Sequence, residues 1–465
     1  MRQPGSILLV SCYELGHQPF AISSPVGLLE RAGFLPDVLD LSVTAFHREK
    51  IQRAKFIGLS VPMHTALRLA VRAAKQIREI NPTCHICFYG IYASLNSNYL
   101  LEHFADSVIG GEFEEPLLKL IESLIDRSVH GDLPELGGVS SHQKSQPPYM
   151  ERLKFAPPSF SGLPTLSNYA HLVCNGIHRL AGYIEGSRGC LHHCRHCPIP
   201  PVYNGRFFVV SESVVLDGIR TLVAAGAEHI TFGDPDFLNG PGHSLRIVRA
   251  MHDEFPSITF DFTAKVEHLR KQRELLPDLR DAGCLFVVSA FESIDDAILK
   301  NLDKGHSRQH IFDVLEVFRK VDITIRPTWV PFTPWTTIDD YIDLLEFICE
   351  QQLVPNIDPV QYTVRLLVPP ASLLLREEEI KPYLGDLDQA NFSHLWSHPD
   401  MRMDALQRNV STTVERLIES RTPNVVIFDR VRELAYSIRG ESAPRLQNDS
   451  LSAVEPPRLT ESWFC

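Results

Sequence analysis

One short window limits this chain more than any other feature: Cys190-Leu-His-His-Cys194-Arg-His-Cys197, entered through Gly189 and left through Pro198. Cysteines separated by three residues and then two cannot share one face of a helix or strand. They suit a loop wrapped around a metal centre. Thiolates favour zinc, copper(I) or iron–sulfur clusters. Structural zinc usually takes four ligands, often as two distant Cys-x-x-Cys pairs, and the other such pair, Cys84 and Cys87, falls at a candidate strand of the first domain. Three cysteines on a four-iron cluster instead leave one iron open to a small ligand. The competing reading is a zinc loop completed by His192, His193 or His196.

The chain has 465 residues, too many for one ordinary core, with 44% apolar and 22% charged residues, as in globular proteins. A net charge of −12 repels phosphate backbones and argues against a dedicated nucleic-acid partner. No apolar run reaches the length of a membrane span, so no membrane association is expected. Ile7–Val10 is too short for a signal-peptide core and reads as a first strand. The expected location is cytoplasmic, which agrees with ten mostly scattered cysteines that form no disulfide framework.

Alternation of short apolar runs with helical periodicity divides the rest. In 1–130, candidate strands Ile7–Val10, Val38–Leu41, Phe56–Ser60, His85–Tyr89 and Ser107–Ile109 predict a Rossmann-like parallel α/β domain. Residues 131–180 are turn-rich and read as a linker. Residues 181–370 alternate again, with candidate strands Gly182–Glu185, His229–Phe232, Thr259–Thr263, Leu285–Ala290, Ile323–Val330 and Pro359–Leu367. Six such units suit a partial (β/α)6 barrel of TIM type, with its chemistry at the carboxyl ends of the strands. A helical extension (371–440) and a flexible tail (441–465) complete the expected order.

The cysteine window after the first strand of a six-unit β/α pattern resembles the signature of the radical S-adenosylmethionine (SAM) superfamily. That resemblance implies a 4Fe-4S cluster on Cys190, Cys194 and Cys197, with SAM on the open iron. It implies SAM contacts from His196 in the cysteine loop and from Gly233, Asp234 and Asp236 after the second strand. Further contacts are implied from Ser289 and Glu292 in Ser-Ala-Phe-Glu-Ser, which Lys304-Gly305 follows, and from Arg326 on the fifth strand. Gln361, Tyr362 and Arg365 are substrate-side candidates. The α/β domain ahead of the barrel resembles a cobalamin-binding domain, which implies cobalamin contacts at Ser60, Gly90, Gly110, Gly111 and Glu112. The Asp-x-His-x-x-Gly motif that supplies a lower axial ligand is missing. His17 lies in the right loop but outside that motif.

The function expected from this resemblance is radical chemistry on a small-molecule or peptide substrate, with cobalamin-dependent methyl transfer as one form of it and a flavodoxin or ferredoxin as electron donor. The alternatives are a cobalamin-independent enzyme such as an RNA methylthiotransferase, and a zinc-stabilised binding protein. The chain end, Trp463-Phe464-Cys465, resembles the start of the Cys-Sec-Ala-Glu-Pro or Cys-Cys-Ala-Glu-Pro tail of one radical SAM group. Cys465 is then a tail thiol, and a selenocysteine codon after it is the expectation.

Overall fold

The computed structural model describes residues 1–130, 135–446 and 455–461. The first sheet contains β1 (Ile7–Ser11), β2 (Asp37–Asp40), β3 (Phe56–Ser60), β4 (His85–Tyr89), β5 (Ser107–Ile109) and β6 (Val139–Ser141), in the order β2-β1-β3-β4-β5-β6. The first five run parallel, as their continuous apolar runs predict for strands covered on both faces. Helices Phe20–Arg31 and Glu114–His130 bury Ile22, Val26, Leu117 and Ile121 on one face. Helix His64–Ile80 buries Leu67, Ala70, Ala74 and Ile77 on the other.

β6 comes from the stretch read as a linker and pairs antiparallel with β5. The chain then passes over the end of β5. The amide of Tyr149 donates to the Gly110 carbonyl at 2.8 Å, and the Glu112 amide donates to the Tyr149 carbonyl at 2.9 Å. Gly111 has φ +77°, and a Cβ there would strike the Tyr149 carbonyl and Met150. Glycine at this position is therefore required by the chain's own linker.

The second sheet begins with the hairpin β7 (His171–Cys174) and β8 (Ile177–Ile184). A two-stranded ribbon follows, β9 (Ser187–Gly189) with β10 (Phe207–Val209). Then come β11 (His229–Phe232), β12 (Thr259–Thr263), β13 (Cys284–Glu292) and β14 (Thr324–Trp329). β8 and β11–β14 are parallel and form a curled half-barrel sheet.

The sixth strand expected at Pro359–Leu367 does not form. Pro359–Tyr362 is a 3-10 turn. Proline has no N–H to give a ladder, and side chains serve the edge of β14 instead. The Trp329 amide donates to Gln361 Oε1 at 2.8 Å, and Asn356 Nδ2 donates to the Ile325 carbonyl at 2.8 Å.

In the extension, β15 (Leu384–Asp388) and β16 (Ser393–Trp396) form a hairpin. Helices Met401–Glu419 and Asn424–Ile438 place Val410, Val414, Phe428 and Val431 in the barrel core. Part of the expected flexible tail is structured: β17 (Arg458–Leu459) pairs antiparallel with β7. Beyond it, Glu461 accepts a 2.6 Å hydrogen bond from the Tyr13 hydroxyl. Trp463 and Cys465 lie outside the described residues. No described helix is long and apolar enough to cross a membrane.

Candidate functional site

The cysteine loop leaves β9 through Gly189, whose φ of +76° no branched residue adopts easily and whose missing side chain makes room for the Tyr203 ring. The loop is held from several directions. The Leu191 amide donates to Asn239 Oδ1 at 3.4 Å, the Arg195 amide to the Leu302 carbonyl at 2.9 Å, and the Cys197 amide to the Cys194 carbonyl at 3.2 Å. Ser372 Oγ donates to the Arg195 carbonyl at 3.1 Å, tying the extension to the loop. Cys190 and Cys194 are buried and Cys197 is partly buried, and none is in a disulfide. Burial and the neighbouring thiols push Cys190 and Cys197 above the usual thiol range. Three thiolates in so small a volume need a bound cation, and a metal centre supplies it.

A tetrahedral zinc on this loop needs a fourth ligand beside the three sulfurs. The three loop histidines turn elsewhere. His192 Nε2 meets His268 Nε2 at 3.2 Å, His196 Nε2 meets Glu292 Oε1 at 3.2 Å, and His193 packs over Gly205.

Glu292 ends β13 with φ +64°, an unusual conformation for a glutamate and one that costs energy. Its carboxylate accepts from Lys304 Nζ at 3.1 Å and faces His196 of the cysteine loop. Burial pushes this carboxyl up, but Lys304 and His196 outweigh it and hold it at about 2. Glu292 is thus a fixed, buried anion beside the cysteine loop.

Gly233, Asp234 and Asp236 follow β11 at the same end of the sheet. Asp234 accepts from the Gly186 amide at 2.8 Å and Ser187 Oγ at 2.5 Å, while burial pushes its carboxyl to about 6. Asp236 is fully buried and caps the turn at Leu238 through a 3.0 Å hydrogen bond.

Two expected SAM contacts are committed elsewhere. Ser289 Oγ donates to the Ala264 carbonyl at 2.8 Å. Arg326 Nη2 donates to Asp358 at 3.0 Å, while its Nη1 is buried with no hydrogen-bond partner. Of the substrate-side candidates, Arg365 pairs with Asp404 at 2.6 Å and stacks 3.5 Å above the Trp396 ring centre, so it anchors the extension. Gln361 caps the edge of β14, as described above.

At the carboxyl edge of the first sheet, Ser60 and Gly90 end or follow β3 and β4. Gly110 borders a cleft of about 450 Å³, lined also by Ser94, Ser97, Tyr99, Ser140 and Gln389. Ser97 Oγ is buried there with no hydrogen-bond partner, which fits a site for a polar ligand. Gly111 and Glu112 are engaged by the protein itself, the first by the linker. His17 stacks on Tyr183 of the half-barrel with ring centres 4.7 Å apart. Burial lowers its imidazole to about 4 and keeps it neutral.

Glu112 reaches a residue the sequence reading missed. Arg188 lies two positions before Cys190 and is buried between the domains. It meets Glu185 at 2.6 Å, Glu114 at 2.7 Å and Glu112 at 3.3 Å, and donates to Ser24 Oγ at 3.2 Å. The rings of Phe113 and Phe155 flank the guanidinium at 4.9 and 5.1 Å. Glu185 is a local partner, but Glu112, Glu114 and Ser24 lie more than seventy residues away, where no spacing rule reaches. Burial pushes Glu112 and Glu185 to about 7 each, against the pull of Arg188.

Glu14 adds to the acidity of this interface. It accepts from the amides of Phe20 and Ala21 at 2.9 and 3.2 Å, and burial together with Glu185 pushes it to about 8. A carboxyl raised on folding contributes stability below its unfolded value and loses it as pH rises through its folded value. Compared with its effect at pH 6, Glu14→Gln should therefore gain on the order of 1 kcal/mol over the wild type at pH 9. Denaturant unfolding at the two pH values measures this, and an equal difference at both contradicts it.

A sequence profile described as the radical SAM superfamily matches residues 184–348. Hopanoid C-3 methylase of Methylococcus capsulatus is 24% identical over 327 residues, covering 68% of this chain and 62% of the relative. A putative methylthiotransferase of Methanocaldococcus jannaschii is 23% identical and covers 62% of each chain. The chain thus spans about three fifths of these curated relatives. Among solved structures, the cobalamin-dependent S-adenosylmethionine radical enzyme OxsB superposes with TM-score 0.70 at 15% identity, covering 89% of this chain and 66% of OxsB. The radical S-adenosylmethionine methyltransferase TsrM from Kitasatospora setae superposes with TM-score 0.59 at 16% identity, covering 75% of this chain and 73% of TsrM. Both share the two-domain fold described here.

Proposed function

We propose that this chain is a cobalamin-dependent radical SAM enzyme, on the premise of the match of residues 184–348 to the radical SAM superfamily. One observation carries the reading: three cysteines on a pinned loop whose histidines are engaged elsewhere, beside the carboxyl ends of a parallel half-barrel. The cluster, when bound, supplies the electron that cleaves SAM reductively.

The protein's own residues supply the rest. Cys190, Cys194 and Cys197 hold three irons. Gly233 makes room for the Tyr183 ring, whose hydroxyl donates to the Gly233 carbonyl at 3.4 Å, and Asp234 fixes the end of β11 to the Gly186–Ser187 turn. Glu292 offers a permanent carboxylate to a SAM hydroxyl or ammonium group, with Lys304 and His196 preventing its protonation. Ser60, Gly90 and Gly110 border the cobalamin face, next to the Ser97 cleft.

Cobalamin is supported by its presence in OxsB and TsrM, joined to the shared two-domain arrangement. Methyl transfer to a small molecule or peptide is favoured because TsrM is a methyltransferase and the hopanoid relative a methylase. A flavodoxin or ferredoxin is the proposed electron donor. A methylthiotransferase reading has less support in the fold: Cys12 and Cys84 lie in one hydrophobic core and Cys87 in another.

Anaerobic protein given reductant, SAM and cobalamin should release 5′-deoxyadenosine or S-adenosylhomocysteine and retain a cobalamin absorption spectrum after desalting. Glu292→Gln should weaken SAM binding by about 1–3 kcal/mol in equilibrium titration. SAM turnover without retained cobalamin removes the cobalamin part alone. Absence of both turnover and SAM binding removes the whole reading.

A further inference from the structure

We propose that His192, Asp236 and His268 form a second metal site, separate from the cysteines, that takes one borderline divalent cation such as zinc. The three residues come from three places: the cysteine loop, the turn after β11, and the short helix Val266–Lys271 after β12. One ligand atom from each lies within 4.8 Å of the others. His192 Nε2 is 3.2 Å from His268 Nε2 and 3.9 Å from Asp236 Oδ2, and His268 Nδ1 is 2.8 Å from the same oxygen. Zinc bonds to imidazole and carboxylate of about 2.0–2.2 Å need ligand atoms roughly 3–4 Å apart. Small side-chain rotations reach that geometry.

Hydrogen bonding alone accounts poorly for this cluster. His268 Nδ1 is buried and close to a carboxylate, yet lacks the alignment of a hydrogen bond and has no other partner. Two imidazole nitrogens also face each other, where at most one proton can be shared. Asp236 has no exposure at all and accepts from the Leu238 and Lys265 amides at 3.0 and 3.4 Å, which fix its carboxylate toward the two histidines. Glu267 lies 3.7 Å from His192 Nδ1, where a carboxylate commonly orients a metal-bound histidine. Two histidines and one carboxylate suit zinc or iron(II) and leave open positions for an oxygen or nitrogen donor of a substrate.

The test uses full-length protein whose cysteines are already occupied by iron and sulfide. After equilibration with zinc and desalting, metal analysis should find about one zinc per chain beyond the iron. His268→Ala and His268→Gln should each weaken zinc binding at least about tenfold, and His268→Gln, which can still hydrogen-bond to His192, should keep its iron content. No retained zinc, or zinc that both variants hold as tightly as the wild type, overturns the site. A protein that takes up no iron argues against the cluster reading instead, and His268-dependent zinc in that protein still supports this site.

Discussion

Cys190→Ala, Cys194→Ala and Cys197→Ala should each reduce the iron of anaerobically reconstituted protein from about four per chain to near zero, with loss of the broad absorption of a thiolate-ligated cluster. The effect is all-or-none because the loop offers three sulfurs and its histidines are turned to Glu292, His268 and Gly205. No neighbouring group can replace a lost ligand without dismantling a contact that holds the loop. Cys84→Ala and Cys284→Ala are the controls: both residues lie in hydrophobic cores, so each substitution should cost some stability but no iron per folded chain. Full iron loading in all three loop variants would show that the cysteines do not hold the centre.

The second large effect is expected at Arg188. Arg188→Met keeps much of the side-chain volume and leaves Glu112, Glu114 and Glu185 facing one another without a cation. Removing one partner from a buried ionic network costs about 3–5 kcal/mol. This chain has two domains, so the loss should appear as an earlier, separate unfolding step and faster proteolysis between them. Adding Glu112→Gln and Glu114→Gln should recover part of the loss, because the three groups act as one network. An unchanged melting profile for Arg188→Met alone would mean that the carboxylates are protonated and satisfied without it. The same variant should also reduce iron retention, since Arg188 anchors the strand that delivers Cys190.

The parts legible in sequence are those written in local spacing. The five parallel strands of the first sheet and five of the barrel strands follow from apolar runs punctuated by glycine and proline. The cysteine window announces its own chemistry. Glu292 was legible because it stands in a short motif, although nothing in the sequence showed its left-handed backbone.

The sixth barrel strand misled because Val360 and Val364–Val368 read as apolar strand. The structure spends Gln361 and Asn356 on the β14 edge instead, a side-chain substitution for a ladder that periodicity cannot reveal. The glycines at 110 and 111 suggested close approach of a ligand. At Gly111 the close approach is real, but the approaching group is Tyr149. Arg188 and His268 were missed for one reason: most of their partners are brought to them by folding, from Glu112 and Glu114 for the first and from His192 and Asp236 for the second.

The way the first sheet is completed has a consequence for how such proteins can be recombined. β6 and the Tyr149 crossing are encoded after residue 135, yet they close the edge of β5 and lock the Gly110–Glu112 turn. A crossover at residue 130 would leave the donated domain with an open sheet edge, and the recipient barrel with a strand and a crossing segment fitted to another partner. A crossover near residue 150 would keep the sheet whole but still separate Arg188 from Glu112 and Glu114. The two halves are therefore a matched pair that natural shuffling can exchange intact only when the cysteine-bearing half travels with the other.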